Sequence, residues 1–306
     1  MDVVHISEIL KTRYCICCDK IRQDKVGNEE NYWIDDKFLL KLFDYNVKFR
    51  IEDEILVCDY LRSKNFCTSN HVTAIDGSYI QQVGNYRMHL QYKLSGTTRE
   101  KNSLDFEQGD RLLKILKHIV ELLREFPLET KINMLFGHEY VMADIISSVI
   151  ERLKTTDLEL KEIIKRKVEL LNKIKFDKGK VHQTVLSHSD YNIQQLLLNN
   201  DLICSKDIAV IDFSHVSKIP IEWEIIKSCL RSIEFQKCTC VRAILNGFTV
   251  FEKDFSINYD NMYISIIQLI SSAYMEKMYL RTNQRKWLVN LNYEIDVLEN
   301  LYYSMR

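Results

Sequence analysis

The apolar positions of this chain change period near residue 96. Before it, short strand-like runs dominate: YCICCDKIRQ, NYWI and KFLLKLF, between about residues 13 and 43, are separated by the turn-like DKVGNEE and IDD and read as a β-meander. RIEDEILVCDYLRSK then puts Ile51, Ile55, Val57, Cys58 and Leu61 on one stripe of an amphipathic helix suited to cover that sheet. SYIQQVG and NYRMHLQYKL, joined through the turn-forming Gly84 and Asn85, complete an antiparallel sheet of about five strands.

Beyond Gly96 the period becomes helical. Leu112, Leu113, Leu116, Ile119, Val120 and Leu123 recur at helix spacing, and residues 139–154 and 157–175 repeat the style. One interruption, TVLSHSDYNIQQLLLNNDLICSKDIAVIDFSHV, holds two short apolar runs, LLL and IAVID, that predict a small hairpin. From Pro220 to the end, four tyrosine-rich helical stretches close the chain, with Pro220 near the start of the first. The pattern predicts an α+β, bilobal protein: residues 1–95 as a sheet-and-helix lobe with its connecting hinge, and residues 96–306 as a larger, mainly helical lobe.

Composition supports two real cores, since 306 residues are 46% hydrophobic and 28% charged. With 8 glycines and 2 prolines there is no flexible linker to mark a boundary. Lysine and arginine (42) nearly cancel aspartate and glutamate (43), which argues against nucleic acid or a membrane surface as partner and leaves small molecules open. The N-terminal MDVVHISEILKTRYC lacks the basic start and apolar stretch of a leader, so a cytoplasmic location is expected. The nine cysteines are scattered and often lie in apolar runs, as reduced thiols do. Cys15, Cys17 and Cys18 include a C-x-x-C spacing, but Cys238 and Cys240 do not complete a four-ligand zinc set.

The candidate chemistry lies around the predicted hairpin. His188-Ser189-Asp190 opens a loop, Gln195 follows Asp190 by five residues, and Ile211-Asp212-Phe213 ends the second apolar run. Phosphoryl transfer needs one carboxylate to orient an attacking hydroxyl and separate oxygen ligands for magnesium. LSHSDYNIQQLLL followed by IAVIDF resembles the H-x-D-x-x-x-x-N loop and terminal I-D-F of the aminoglycoside phosphotransferase-like family, which includes choline and methylthioribose kinases and has the protein-kinase-like fold. The resemblance implies Asp190 as catalytic base, Gln195 in the magnesium-ligand position usually held by asparagine, Asp212 as the second magnesium ligand, and His188 as a support of the loop. Glutamine keeps the amide oxygen on a side chain one methylene longer, and magnesium geometry is strict.

The same resemblance assigns parts of the first half. In VGNEENYWIDDKFLLKLF, Gly27 and Asn28 would form the turn over the phosphates and Lys41 would reach them. Glu54, with Glu52 as competitor, would fix that lysine. Independently, a strand lysine between Leu40 and Leu42 points to the opposite face from both. Gln91-Tyr92-Lys93-Leu94, followed by Gly96, occupies the place where the family links its lobes and binds adenine through backbone groups. Trp223 and Glu224, after Pro220, match the family segment in which an aromatic and an acidic residue open a helix, where Glu224 would be structural.

The expectation is an ATP- and Mg2+-dependent kinase that phosphorylates a hydroxyl of a small molecule, either an aminoglycoside-like sugar or an amino alcohol. Gln195 and the glycine-poor phosphate turn motivate an alternative, a nucleotide-binding regulatory pseudokinase. A protein kinase fits less well, because too few residues separate Asp212 from Pro220 for an activation segment.

Overall fold

The computed structural model describes residues 2–24, 30–45, 51–127, 139–175, 178–199, 203 and 208–306. The chain opens on α1 (Val3–Tyr14), capped by Asp2, whose side chain accepts the His5 N–H. Strands β1 (Ile21–Asp24), β2 (Glu30–Ile34) and β3 (Phe38–Asp44) follow, then α2 (Ile51–Ser63), β4 (His71–Val72), β5 (Ile80–Val83) and β6 (Tyr86–Tyr92). Helix α3 (Phe106–Arg124) carries a reciprocal Asp105–Gln108 capping box. Next come β7 (Tyr140–Val141), α4 (Met142–Glu151), α5 (Leu158–Lys173), β8 (Lys178–Gly179) and β9 (Val185–Ser187). Strands β10 (Leu196–Leu198), β11 (Ile208–Val210) and β12 (Ser217–Ile219) precede α6 (Ile221–Ser232), α7 (Lys237–Glu252), α8 (Tyr259–Ser271), α9 (Tyr274–Thr282) and α10 (Lys286–Ser304).

Contacts divide the chain into two compact units. The first holds Met1–Thr98, Phe126–Lys131 and Gln195–Val216; the second holds Arg99–Glu125, Ile132–Gln194 and Ser217–Arg306.

The first unit is built on an antiparallel sheet of order β1-β2-β3-β6-β4, with β5 also paired to β6. The two-residue β4 adds to the five strands expected. So does α1, and its presence moves the first strand: Cys15 takes a left-handed conformation (φ 55°) and ends the helix by donating to Leu10 O, so the backbone enters the sheet only at Ile21. Period-2 alternation gives the sheet two different faces. Leu40, Leu42, Met88 and Leu90 pack with Ile6 and Leu10 of α1 on one side. Phe43 packs with Ile51 and Ile55 of α2, on the side that also receives Lys41. The expected hairpin is present as the β10–β11 pair, Leu196 opposite Val210. Gly96 lies close against it at φ 111°, where a side chain would meet the backbone of Leu198 at 3.0 Å, so this crossing requires glycine.

The second unit packs helices α3 to α10 with the small β12–β9 and β7–β8 pairs. Pro220 immediately precedes α6, and five helices rather than four follow it. Among the described residues no helix is long and apolar enough to cross a membrane.

Candidate active site

In the first unit, Lys41 sits mid-strand on β3, opposite Asn31 on β2 and His89 on β6. Alternation turns its side chain toward α2, where Glu54 lies in the first helical turn. Lys41 Nζ is 3.4 Å from Glu54 Oε1 and 3.3 Å from Asp212 Oδ1, bringing together residues 171 positions apart. Lys41 is 6% exposed and Glu54 fully buried, so this pair is largely shielded from solvent. Of the two glutamates that competed for Lys41, Glu54 takes it; Glu52 pairs with Arg87.

Asp212 follows β11 in a left-handed conformation (φ 64°), which aspartate tolerates better than most residues. Its Oδ1 also accepts from Ser214 Oγ at 2.9 Å. Gln195 immediately precedes β10, and its carbonyl accepts the N–H of Ile211 at 2.9 Å, tying its backbone to the residue before Asp212. Its side chain is half-buried. Tyr92 and Lys93 donate their backbone N–H groups to Asn70 O and Lys37 O, each at 2.8 Å, and Lys93 Nζ lies over the Trp33 ring. Gln91 is buried within β6. Gly27 and Asn28 lie outside the described residues.

In the second unit, the loop after β9 presents Asp190. Ser189 adopts φ 64°, the Asp190 N–H donates to His188 Nδ1 at 3.3 Å, and the buried His188 ring meets Tyr191 edge-on at 5.9 Å. Glu224, fully buried in the first turn of α6, accepts the Ser189 N–H on Oε2 (2.6 Å) and the Tyr191 N–H on Oε1 (2.9 Å). Asp190 itself is held by cations. Its Oδ1 lies 2.8 Å from Lys227 Nζ and also pairs with Arg231. Burial alone would raise the Asp190 pKa, but the Arg231 and Lys227 charges overcome it and hold the carboxyl well below its usual range. Burial and the neighbouring Arg231 lower the Lys227 pKa, against the pull of Asp190.

No family model matches this sequence. An uncharacterized kinase-like protein of Caenorhabditis elegans is 27% identical over 212 residues, 58% of this chain and 54% of that protein, so the chain spans about half the length of this curated relative. The spectinomycin phosphotransferase structure with ADP and spectinomycin aligns over 99% of this chain and 98% of its own, at 14% identity and a TM-score of 0.62. An amicoumacin kinase bound to AMP-PNP and Ca2+ aligns over 98% and 94%, at 10% identity and 0.66. A microcompartment-associated aminopropanol kinase aligns over 99% and 98%, at 14% identity and 0.61. The fold is that of the kinase-like aminoglycoside phosphotransferases.

Within this kinase-like fold, α6 contributes more than sequence reasoning assigned to it. Glu224, Lys227, Ser228, Arg231 and Ser232 fall at i, i+3, i+4, i+7 and i+8, one face of the helix. Each engages the loop: Lys227 Nζ also donates to Ser189 O (2.7 Å), Ser228 Oγ donates to Tyr191 O (2.8 Å), and Ser232 Oγ accepts from the Ile193 N–H (3.0 Å). Only Glu224 was expected there. The missed signal is the spacing itself, a polar stripe along a helix whose other residues are mostly apolar.

His71 and His89 were also unread. Both are buried beside Lys41, whose charge, after burial, contributes to lowering both pKa values, that of His71 to about 3.

Proposed function

We propose that this chain is an ATP-dependent phosphotransferase that places the γ-phosphate on a hydroxyl of a small molecule. The observation that carries the reading is the buried Lys41 ammonium between Glu54 and Asp212. A lysine fixed between two carboxylates is oriented before any ligand arrives, and an oriented ammonium can hold phosphate oxygens without reorganising. Asp212 and the amide of Gln195 are hard oxygen donors suited to magnesium, and the side chain of Asp212 is 32% exposed. When bound, the ion would neutralise phosphate charge. By the sequence resemblance, Gly27 and Asn28 would cover the phosphates, and the backbone around Gln91 and Lys93 would take the adenine.

Asp190 would accept or orient the proton of the attacking hydroxyl, with its neighbours held by Glu224 and its N–H turned to His188. Its depressed pKa keeps it ionised, so its main work is orientation rather than strong general-base catalysis. The loop HSDYNIQQ carries no lysine or arginine, and the cations beside Asp190 come from α6 instead. Lys227 and Arg231 would keep the Asp190 carboxylate ionised and fixed in direction. The likeness to spectinomycin, amicoumacin and aminopropanol kinases supports a small hydroxylated acceptor.

The test is to incubate purified protein with ATP, Mg2+ and a panel of aminoglycosides, choline and amino alcohols while following ADP release. Acceptor-dependent release supports the reading; a folded protein that releases none with any acceptor turns weight to the second reading. That reading, a nucleotide-binding regulatory pseudokinase, is favoured by the engagement of Asp190 by two cations and by Gln195 at a position where asparagine is usual. It expects ATP to bind equally well with and without magnesium.

A further inference from the structure

The side of the first-unit sheet that faces α2 carries a second cluster of chemically capable groups. His89 stands directly opposite Lys41, and His71 on β4 stands opposite Gln91, two residues from His89 and therefore on the same side of β6. Glu54 approaches from α2. One donor atom from each of Glu54, His71 and His89 lies within 4.8 Å of the other two. His89 is fully buried and His71 is 5% exposed, and none of their four ring nitrogens has a hydrogen-bond partner among the described residues. Buried polar groups are normally satisfied, so two such imidazoles beside one carboxylate point to a ligand. Burial and the nearby Lys41 favour the neutral rings, the form that ligates metals.

We propose that Glu54, His71 and His89 form a binding site for one zinc-class divalent cation. Two imidazole nitrogens and one carboxylate oxygen suit a borderline-soft first-row ion, whereas magnesium and calcium demand oxygen ligands. Tetrahedral bonds of about 2.0–2.2 Å place ligand atoms about 3.4 Å apart, so a contraction of at most about 1.4 Å from the 4.8 Å limit, through the side-chain torsions, would close the site on an ion. Three protein ligands leave the fourth position to water.

The site shares Glu54 with Lys41. Glu54 Oε1 faces Lys41 Nζ at 3.4 Å, and a cation on that carboxylate repels the ammonium and draws charge from the pair. Asp212, at 3.3 Å, then becomes the carboxylate that retains Lys41. Metal and lysine compete for one residue, so occupancy alters the geometry of Lys41 whatever its chemical role.

The test uses full-length protein stripped with chelator and carrying Cys15→Ser, Cys17→Ser and Cys18→Ser, which removes the clustered N-terminal thiols. Zn2+ is titrated by calorimetry and Co2+ by absorption. The expected result is one equivalent bound, visible Co2+ ligand-field bands without a thiolate charge-transfer band, and a melting temperature raised by Zn2+. His71→Gln and His89→Gln should each weaken binding at least about tenfold while circular dichroism shows them folded; Glu54→Gln is the third variant should either histidine variant not fold. No binding by the folded parent, a thiolate band, or binding that survives these substitutions overturns the site. These readouts do not use kinase activity, so failure here and failure of the phosphotransferase reading are separate results.

Discussion

Glu224 fixes Asp190 through the residues on either side of it, taking the Ser189 N–H on one carboxylate oxygen and the Tyr191 N–H on the other. Neither bond touches the Asp190 side chain, yet together they set the backbone from which it projects. The left-handed Ser189 is held by the same carboxylate. A conformation of that kind costs of order 1–3 kcal/mol and persists only where surrounding bonds over-determine it.

Replacing Glu224 with Gln exchanges one acceptor oxygen for an NH2 that confronts a backbone N–H in a buried place. Stability should fall by about 1–3 kcal/mol, the cost of leaving a buried donor unsatisfied. As a positioning residue Glu224 should affect kcat far more than KM for nucleotide. Steady-state kinetics on the folded variant decide this; an equal change in both would mean that it acts by general loosening of the fold.

Asp190→Asn should abolish turnover and leave nucleotide affinity nearly unchanged, because the residues proposed to hold nucleotide belong to the other compact unit. Arg231→Met removes one of the two cations on Asp190 while Lys227 remains at 2.8 Å. With less positive charge nearby, the Asp190 pKa should rise toward its ordinary value. The acid limb of the pH–rate profile should therefore move to higher pH, together with a fall of roughly tenfold or more in kcat. Retained turnover in Asp190→Asn would remove this residue from the chemistry.

The coupling of Lys41 and Glu54 is open to a double-mutant cycle. Lys41→Met and Glu54→Gln should each weaken nucleotide binding, and the double variant should be no worse than Lys41→Met alone. An interaction energy of about 0.5–3 kcal/mol is expected for groups in direct contact. Fluorescent-nucleotide displacement supplies the four affinities; strict additivity would mean that Glu54 does not act through Lys41.

These assignments differ in how far the sequence revealed them. Lys41 and Glu54 were legible through the family resemblance; strand alternation added only that Lys41 points away from Leu40 and Leu42, and nothing in the helix pattern separated Glu54 from Glu52. The hairpin before Asp212 was legible as two apolar runs. Helix α1 was not: Ile6, Ile9, Leu10 and Tyr14 do recur at i, i+3, i+4 and i+8 on one buried face, but the exposed Val3 and Val4 blur that stripe, and the helix runs into a cysteine-rich segment with strand-like composition. Lys227 and Arg231 escaped for a different reason. A lysine and an arginine on a helix ordinarily read as a solvated face, and only the fold carries them to a loop some forty residues earlier in the chain. The pairing of His71 with the His89 side of β6 depends on a two-residue strand too short to announce itself by periodicity.

Gln195→Asn separates the enzyme from the pseudokinase. Asparagine shortens the amide by one methylene and restores the residue usual at that position in the family the sequence resembles. If Gln195 ligates magnesium, the variant should show a lower magnesium requirement for ATP binding, by roughly threefold to tenfold, and turnover that is unchanged or faster. Titration of magnesium at fixed ATP measures this; an identical magnesium dependence in both proteins would take the Gln195 side chain out of the metal site.

The buried histidines give the fold a predictable response to acid. His71 has its pKa lowered from 6.5 to about 3, by burial first and then by the Lys41 and Arg62 charges, and His89 is lowered in the same direction by burial, Lys41 and His71. Between pH 6.5 and about 3 the unfolded chain carries a proton at residue 71 that the folded chain does not. Stability from this residue is therefore complete above pH 6.5 and declines as pH falls through that window, by up to about 1.4 kcal/mol per pH unit for each histidine. Thermal unfolding with chelator present, between pH 7.5 and 5, should show the melting temperature falling steadily. His71→Gln and His89→Gln should each flatten that slope, whatever they do to stability at pH 7.5. A slope unchanged in both variants would mean that other groups, not this histidine pair, set the acid sensitivity.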